Sequence, residues 1–395
     1  MVRLRGGWFR GGSHSEVHIL YLIPGLGRSG GAEQAIAVFA APYAERGVQL
    51  DVVTFTGRDA LRPTVEQAGG TVIDLGAGSM VALTARVRSL VRERQPDLVH
   101  TTLFEADLAG RVGARWAGVP VVSSLVNVAY GPEQRANPAL RAWKLEAARR
   151  ADRLTARLPR RFHALTGHVA AVMGDRLAID PDRIDVIPRG RDAATLGSVT
   201  PSRQAAARRS LGVDGDEPLV LALARHEFQK GLDVLVRAWP DVRSEVPNAV
   251  LRLGGRAGSQ SALIEHLVAD LGPDSGVLEV GVRDDVPDLL SAADSFVVPS
   301  RWEGLGSILI EAMALGAPVV TTEVGPIPEV TGLGWARLVP PDDPAALARA
   351  VVATLRQPVE ERQRRADVAR ARVGATFTLA TVADDMVAFY QRALA

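Results

Sequence analysis

Two carboxylates frame the stretch with the clearest chemistry. Glu303 sits in a turn after the apolar run Ser295-Phe296-Val297-Val298, and Glu311 lies on the helical pattern that runs from Ser307 to Gly316. Gly304-Leu305-Gly306-Ser307 lies between the turn and that helix. The first amides of a helix have no intrahelical partner, and the helix dipole favours negative charge there, so strand, glycine turn and helix build an anion site. Acids beside a bound anion would be repelled by it and are better suited to hydroxyls. A ligand that is both phosphate and polyol fits, and a sugar nucleotide is such a ligand. Glu311 has apolar neighbours at helical spacing, Ile308 and Leu315, so its carboxylate needs partners of its own.

A second constellation is Arg225-His226-Glu227-Phe228-Gln229-Lys230-Gly231. Arg225 ends a buried strand, and Lys230 precedes a helix beginning near Asp233. A fork donor and a point charge at such an edge suit a diphosphate, and a solvated pair of strand-end cations would look the same. Lys230 is one of only two lysines, with Lys144, among 46 basic residues. A third feature, Gly25-x-Gly27-x-x-Gly30, follows a strand and precedes a helix. It lacks the acid that a dinucleotide fingerprint places about 20 residues on, at the end of the next strand. The acid of that strand, Asp51, is near its start. A nicotinamide enzyme is thus disfavoured, and the glycines serve a close phosphate or sugar approach or simply a tight turn.

These residues need a scaffold that gathers strand ends, and the pattern supplies one. Strand-like runs are 17–26, 49–55, 71–75, 97–101, 120–125, 161–166 and 185–188, separated by helical runs at about 34–46, 79–94, 105–117, 138–151 and 168–177. Pro188–Pro201, rich in Gly, Pro, Ser and Thr, breaks the alternation and reads as a linker. Strands then resume at 219–225, 249–254, 277–280, 295–299, 318–322 and 336–339. Helices fall at 203–211, 233–246, 261–271, 286–293, 307–315, 345–357, 360–373 and 379–394. The alternation predicts an α/β fold of two Rossmann-like doubly wound domains facing a cleft. The expected layout is a flexible extension over 1–16, a first domain over 17–195 and a second domain over 196–377.

Composition narrows the class. A chain of 395 residues with 47% hydrophobic and 23% charged residues is an ordinary globular protein, and a net charge of +1 argues against nucleic-acid binding. With no cysteine, disulfides, thiolate zinc sites and cysteine nucleophiles are excluded, which agrees with a cytoplasmic location. From Asn137 to His163 there are eight Lys or Arg against Glu146 and Asp152, a local charge of +6. This run is a candidate contact with an anionic membrane face or a lipid phosphate, or else a solvated helix face.

Taken together, Arg225 with Lys230-Gly231, then Val297-Val298-Pro299-Ser300, Glu303-Gly304-x-Gly306 and Glu311-Ala312-Met313-Ala314-x-Gly316-x-Pro318-Val319-Val320 resembles the donor-binding half of retaining glycosyltransferases of family 4. Gly30-Gly31-Ala32-Glu33 resembles that family's N-terminal glycine loop. Ile187-Pro188-Arg189-Gly190-Arg191-Asp192 resembles its pre-linker segment, with Arg189 where Asn is commoner. The resemblance covers about Val17 to Ala395. It implies the GT-B fold, with helix 379–394 crossing back to the first domain, and a metal-independent transfer from a nucleotide sugar with retention. It implies no cofactor beyond the co-substrate, UDP- or GDP-linked.

By motif match, Arg225 and Lys230 would hold the diphosphate and, with Glu303 beside the anomeric centre, form the catalytic set. Gly31, Gly304, Leu305, Gly306 and Ser307 would bind phosphates or sugar. Glu311 would hold the ribose, and Val282-Arg283 would meet the base through backbone. Many members carry a histidine where this chain reads Leu125-Val126-Asn127-Val128. Glu33, His100 and Asn127 are therefore the acceptor-side candidates, and the departing phosphate itself can take the acceptor proton. Expected partners are the donor and a sugar or lipid-linked acceptor. A same-fold epimerase or hydrolase, or a non-catalytic nucleotide-sugar-binding subunit, is the alternative.

Overall fold

The computed structural model describes residues 17–27, 31–213, 215–332 and 334–395. The expected extension 1–16 and Gly30 of the glycine loop lie outside these residues. By compactness the chain forms one unit of Met1–Val122 with Met386–Ala395 and a second of Ser123–Asp385.

The strands are β1 (Val17–Leu22), β2 (Val48–Thr54), β3 (Thr71–Asp74), β4 (Leu98–Thr102), β5 (Val121–Leu125), β6 (Arg161–Ala164) and β7 (Ile184–Val186), followed by β8 (Leu219–Leu223), β9 (Val250–Gly254), β10 (Val277–Gly281), β11 (Ser295–Val298), β12 (Val319–Thr322) and β13 (Arg337–Val339). They make a seven-stranded sheet in the order β3-β2-β1-β4-β5-β6-β7 and a six-stranded sheet in the order β10-β9-β8-β11-β12-β13. β1 runs parallel to β2 and β4, and β8 parallel to β9 and β11. Both sheets are Rossmann-like, each strand of the sequence reading falling on an observed one.

Period-two alternation explains why these apolar runs are strands covered on both faces. In the second sheet Leu219, Leu221, Phe296 and Val298 enter one core, with Leu309, Ile310 and Met313 of the helix Ser307–Leu315. Val220, Ala222, Val297 and Val320 enter the opposite core, against Leu235 and Trp239 of the helix Leu232–Glu245. In the first unit Leu20, Leu22, Val53 and Val99 pack under Leu83, Val87 and Ala109.

Three departures from the sequence reading have local causes. The helix expected at 138–151 occupies Ala142–Thr155, because Asn137 bonds the amide of Ala139 through its side chain (3.0 Å) and holds Pro138 in a turn. The helices Arg62–Gln67 and Ile327–Thr331 are too short to display a period. The segment read as a linker is ordered. Asp192 caps a 3-10 turn at Ala193–Leu196, Leu196 is buried, and Arg191 bridges Thr378 in parallel.

Candidate functional site

In the six-stranded sheet the winding direction reverses at β8 and β11, and ligands of open α/β sheets bind beyond the carboxyl ends of strands at such a switch point. The loops that leave these two strands carry Arg225–Gly231 and Pro299–Ser307. After β8 the chain makes a 3-10 turn at Phe228–Lys230. Gly231 then adopts φ 61° to start the next helix, and a Cβ there would collide with the Pro299 carbonyl oxygen. The two loops are stitched together by Arg301 N–H to Gln229 O (2.7 Å) and Gln229 Nε2 to Trp302 O (2.8 Å). The Arg301 guanidinium lies 4.1 Å over the Phe228 ring and forks onto Asp233 at 2.9 and 2.8 Å. Such bidentate pairs fix geometry as well as charge.

The stitched loops bring the opposite charges of the site together. Lys230 Nζ lies 2.5 Å from Glu303 Oε1, and Ser300 Oγ donates to the same oxygen at 2.8 Å. Glu303 is 6% exposed, so its carboxylate depends on these two donors. Next to it, Gly304 is pressed against backbone. An added Cβ would collide with the Val126 carbonyl oxygen and stand 2.7 Å from Asn127 Cα. Thr166 Oγ1 donates to Gly304 O (3.3 Å). The turn at Gly304 thus rests directly on Val126–Asn127, and Asn127 turns its Oδ1 to the Val128 amide (2.9 Å). Leu305 is buried, and the helix begins at Ser307. Arg225 is half-buried at the end of β8. Among the described residues no acceptor lies on its guanidinium.

Sequence reasoning missed two residues of this cluster. Arg189 Nη1 donates to Ser307 Oγ (3.1 Å), and Arg191 Nε donates to Glu311 Oε1 (2.9 Å). Both arginines are buried. They come from the segment whose small-residue composition reads as linker. The need of Glu311 for a partner was visible in its apolar neighbours, and the identity of that partner was not.

Arg189 also acts on His163, whose Nε2–H donates to Ile187 O (2.8 Å) while its Nδ1 lies 2.8 Å from Ser124 Oγ. Burial pushes this imidazole down from 6.5 to about 4; the bond to Ile187 opposes the shift and Arg189 adds to it. The unfolded chain therefore binds this proton more tightly. Stability is full above pH 6.5 and falls with pH through about 4, at about 1.4 kcal/mol per pH unit inside that window. Denaturant titrations between pH 7 and 4 are expected to show that slope, and His163→Gln to flatten it.

The base-side candidates differ from each other. Val282 is 64% exposed, and among the described residues its backbone groups carry no hydrogen bond. Arg283 is tied to Asp285 (2.8 and 2.6 Å) and Ser210 Oγ (2.9 Å), and it holds the Asp285 carboxyl below its usual range. In the first unit, Gly31 and Glu33 open the helix Gly31–Ala44, both half-buried. His100 is 1% exposed in β4. Its Nδ1 meets the Tyr390 hydroxyl at 2.9 Å, and the rings of Tyr21 and Phe389 enclose it. Among the described residues, no three His, Asp or Glu side chains gather as a metal site, and no helix is long and apolar enough to cross a membrane.

Comparison with known proteins agrees with this geometry. Residues 217–357 match the model of the glycosyl transferases group 1, and residues 30–190 match the glycosyl transferase 4-like domain. A D-inositol 3-phosphate glycosyltransferase of Mycobacterium sp. (strain JLS) is 33% identical over 77% of this chain and 73% of its own length. One from Kineococcus radiotolerans is 30% identical over 94% and 92%. Among solved structures, Anabaena HepE in complex with UDP-glucose superposes with a TM-score of 0.83 at 23% identity, covering 95% of this chain and 100% of that one. Sucrose-phosphate synthase of Thermosynechococcus elongatus gives 0.79 at 22%, covering 95% and 99%. At these identities the structures speak for the fold, while the curated relatives speak for the family. The chain belongs to the group 1 glycosyl transferases, glycosyltransferases of family 4 with the GT-B fold.

Proposed function

We propose that this glycosyltransferase moves a sugar from a nucleotide-sugar donor to an acceptor hydroxyl, with retention at the anomeric carbon and without a metal. The observation that carries the reading is the Lys230–Glu303 contact beside the N-terminus of the helix Ser307–Leu315, at the switch point of the second sheet. Arg225 and Lys230 hold the diphosphate, with the amides at Leu305-Gly306-Ser307. Glu303 accepts hydroxyls of the transferred sugar, Glu311 accepts those of the ribose, and the backbone at Val282 meets the base.

Charge builds on the phosphate oxygen as the bond to the anomeric carbon breaks. Two preorganised cations and a helix N-terminus stabilise that charge in place of a metal. The acceptor oxygen forms its bond on the face the phosphate leaves, and its proton passes to the departing phosphate. No side-chain base is then required near Asn127.

Two acceptor classes follow from different observations. Curated relatives bear the name D-inositol 3-phosphate glycosyltransferase, which favours a phosphorylated polyol. The helix Ala142–Thr155 exposes Trp143 (64%) and Leu154 (65%) with Arg150 and Arg153 on its open side, which favours a lipid-linked acceptor at an anionic bilayer. The test is a thermal-shift screen of UDP-, GDP-, ADP- and TDP-sugars, followed by product analysis with each acceptor class. A donor at 100 times its dissociation constant stabilises by about 2.7 kcal/mol. A shift with one donor and a new glycoside support the reading. Free sugar or an epimerised nucleotide in place of a glycoside refutes it.

A further inference from the structure

The extended segment Pro188–Asp192 runs along the helix Ser307–Leu315 with a matched register. Arg189 and Arg191 are two residues apart, about 6.6 Å in an extended chain. Their partners Ser307 and Glu311 are four apart on one helix face, about 6 Å along the axis. Each guanidinium therefore meets its partner without distortion, at 3.1 and 2.9 Å.

Arg191 is also anchored from behind. Its amide donates to Phe377 O (2.7 Å) and its Nη1 to Gly190 O (3.0 Å), and its side chain is 6% exposed. A side chain held this way has one place to put its Nε–H, and that place is Glu311 Oε1. Among the described residues, no donor lies on the second oxygen, Oε2. Glu311 itself stays 17% exposed, enough for a ligand to reach it.

We propose that Arg191 is a positioning residue for the ribose of the donor. It fixes the direction of the Glu311 carboxylate through Oε1, so that Oε2 accepts from the ribose diol. The inference rests on the donor reading above. A carboxylate lacking this guanidinium would sit against Ile308 and Leu315 with no fixed direction, and accepting from two hydroxyls would first require ordering it. The same pairing makes the site selective. A carboxylate oxygen aimed at a hydroxyl is left unpaired when the nucleotide lacks that hydroxyl, and such sites reject the deoxy analogue strongly.

The experiment is calorimetric binding of UDP, GDP and ADP to the full chain, then of the tightest of these against its 3′-deoxy counterpart. In the wild type the ribonucleotide is expected to bind more tightly. In Arg191→Ala its affinity falls about tenfold while that of the 3′-deoxy analogue changes little, so discrimination collapses. Donor KM rises accordingly, kcat at saturation stays within about twofold, and Arg191→Lys recovers part of the discrimination. If Arg191→Ala does not fold, Arg191→Lys and Glu311→Gln carry the same comparison. Equal binding of the two nucleotides by the wild type, unchanged discrimination in the variants, or a parallel loss for both nucleotides overturns the assignment of Arg191. A wild type that binds none of the three ribonucleotides overturns the donor reading, and this inference with it.

Discussion

Lys230→Ala is expected to lower kcat/KM by about two to three orders of magnitude, the effect of removing one preorganised donor from developing charge. Lys230 Nζ is the cation placed on Glu303, and it comes from a turn fixed by Arg301 through Phe228, Asp233 and the main chain. The loss is therefore one of transition-state charge stabilisation rather than of loop order. Glu303→Ala is expected to match it from the other side, because the carboxylate proposed to orient the transferred sugar is gone while Ser300 and Lys230 keep their backbone positions. Both variants should remain folded by circular dichroism. Lys230→Ala should be the less stable of the two, since it leaves a 6% exposed carboxylate with Ser300 as its remaining donor. Undiminished turnover in either variant removes that residue from the mechanism.

Gly231→Ala is expected to be the most damaging single methyl in the site. The residue has φ 61°, a left-handed conformation that costs a residue with a Cβ about 1–2 kcal/mol. The added carbon would also strike the Pro299 carbonyl oxygen, which is backbone and cannot rotate away. Overpacking of this kind typically costs about 1–3 kcal/mol more. The strain falls between Lys230 and the helix Leu232–Glu245, where relief means separating the two stitched loops. A lowered Tm together with lost activity is the expected result, and an unchanged Tm would mean that the two loops are not locked against each other. A matched control is Gly212→Ala. Gly212 has φ 60°, and a Cβ there meets nothing within 4 Å, so this variant should show the conformational cost alone.

The scaffold was legible because its signals are local and repeated. Buried parallel strands are short continuous apolar runs, and Leu219–Leu223 and Ser295–Val298 are such runs, each set between helical stretches. The acids and cations after these strands were legible for the same reason, since position at a strand end is a sequence property. Register in space is not. Nothing in the composition of Pro188–Pro201 marks Arg189 and Arg191 as buried, and their pairing with Ser307 and Glu311 spans more than a hundred residues. The seat of Gly304 on Val126–Asn127 is equally non-local, as it depends on a backbone approach that only a glycine permits. Asn127 was singled out for what it lacks, a basic ring. Its contact with the turn at Gly304 comes from the fold.

His100 shows the opposite limit. A histidine near a strand end is a reasonable candidate for work at an acceptor, and its type and place in the sequence agree with that. Its surroundings are Tyr390, Tyr21 and Phe389, and two of the three come from the last helix, nearly three hundred residues away. The imidazole is bonded to a buried tyrosine hydroxyl, surroundings that its place in the sequence does not display. The acceptor proton in the mechanism proposed here goes to phosphate.

The anomeric configuration of the product distinguishes retention from inversion. The purified chain is incubated with an α-linked nucleotide sugar, the acceptor identified by product screening and an excess of chelator, and the glycoside is examined by proton NMR. An α-linked glycoside formed at an undiminished rate is the expected result for metal-independent retention. A β-linked product would mean inversion, and activity abolished by the chelator would mean a required metal; either result overturns the proposed mechanism.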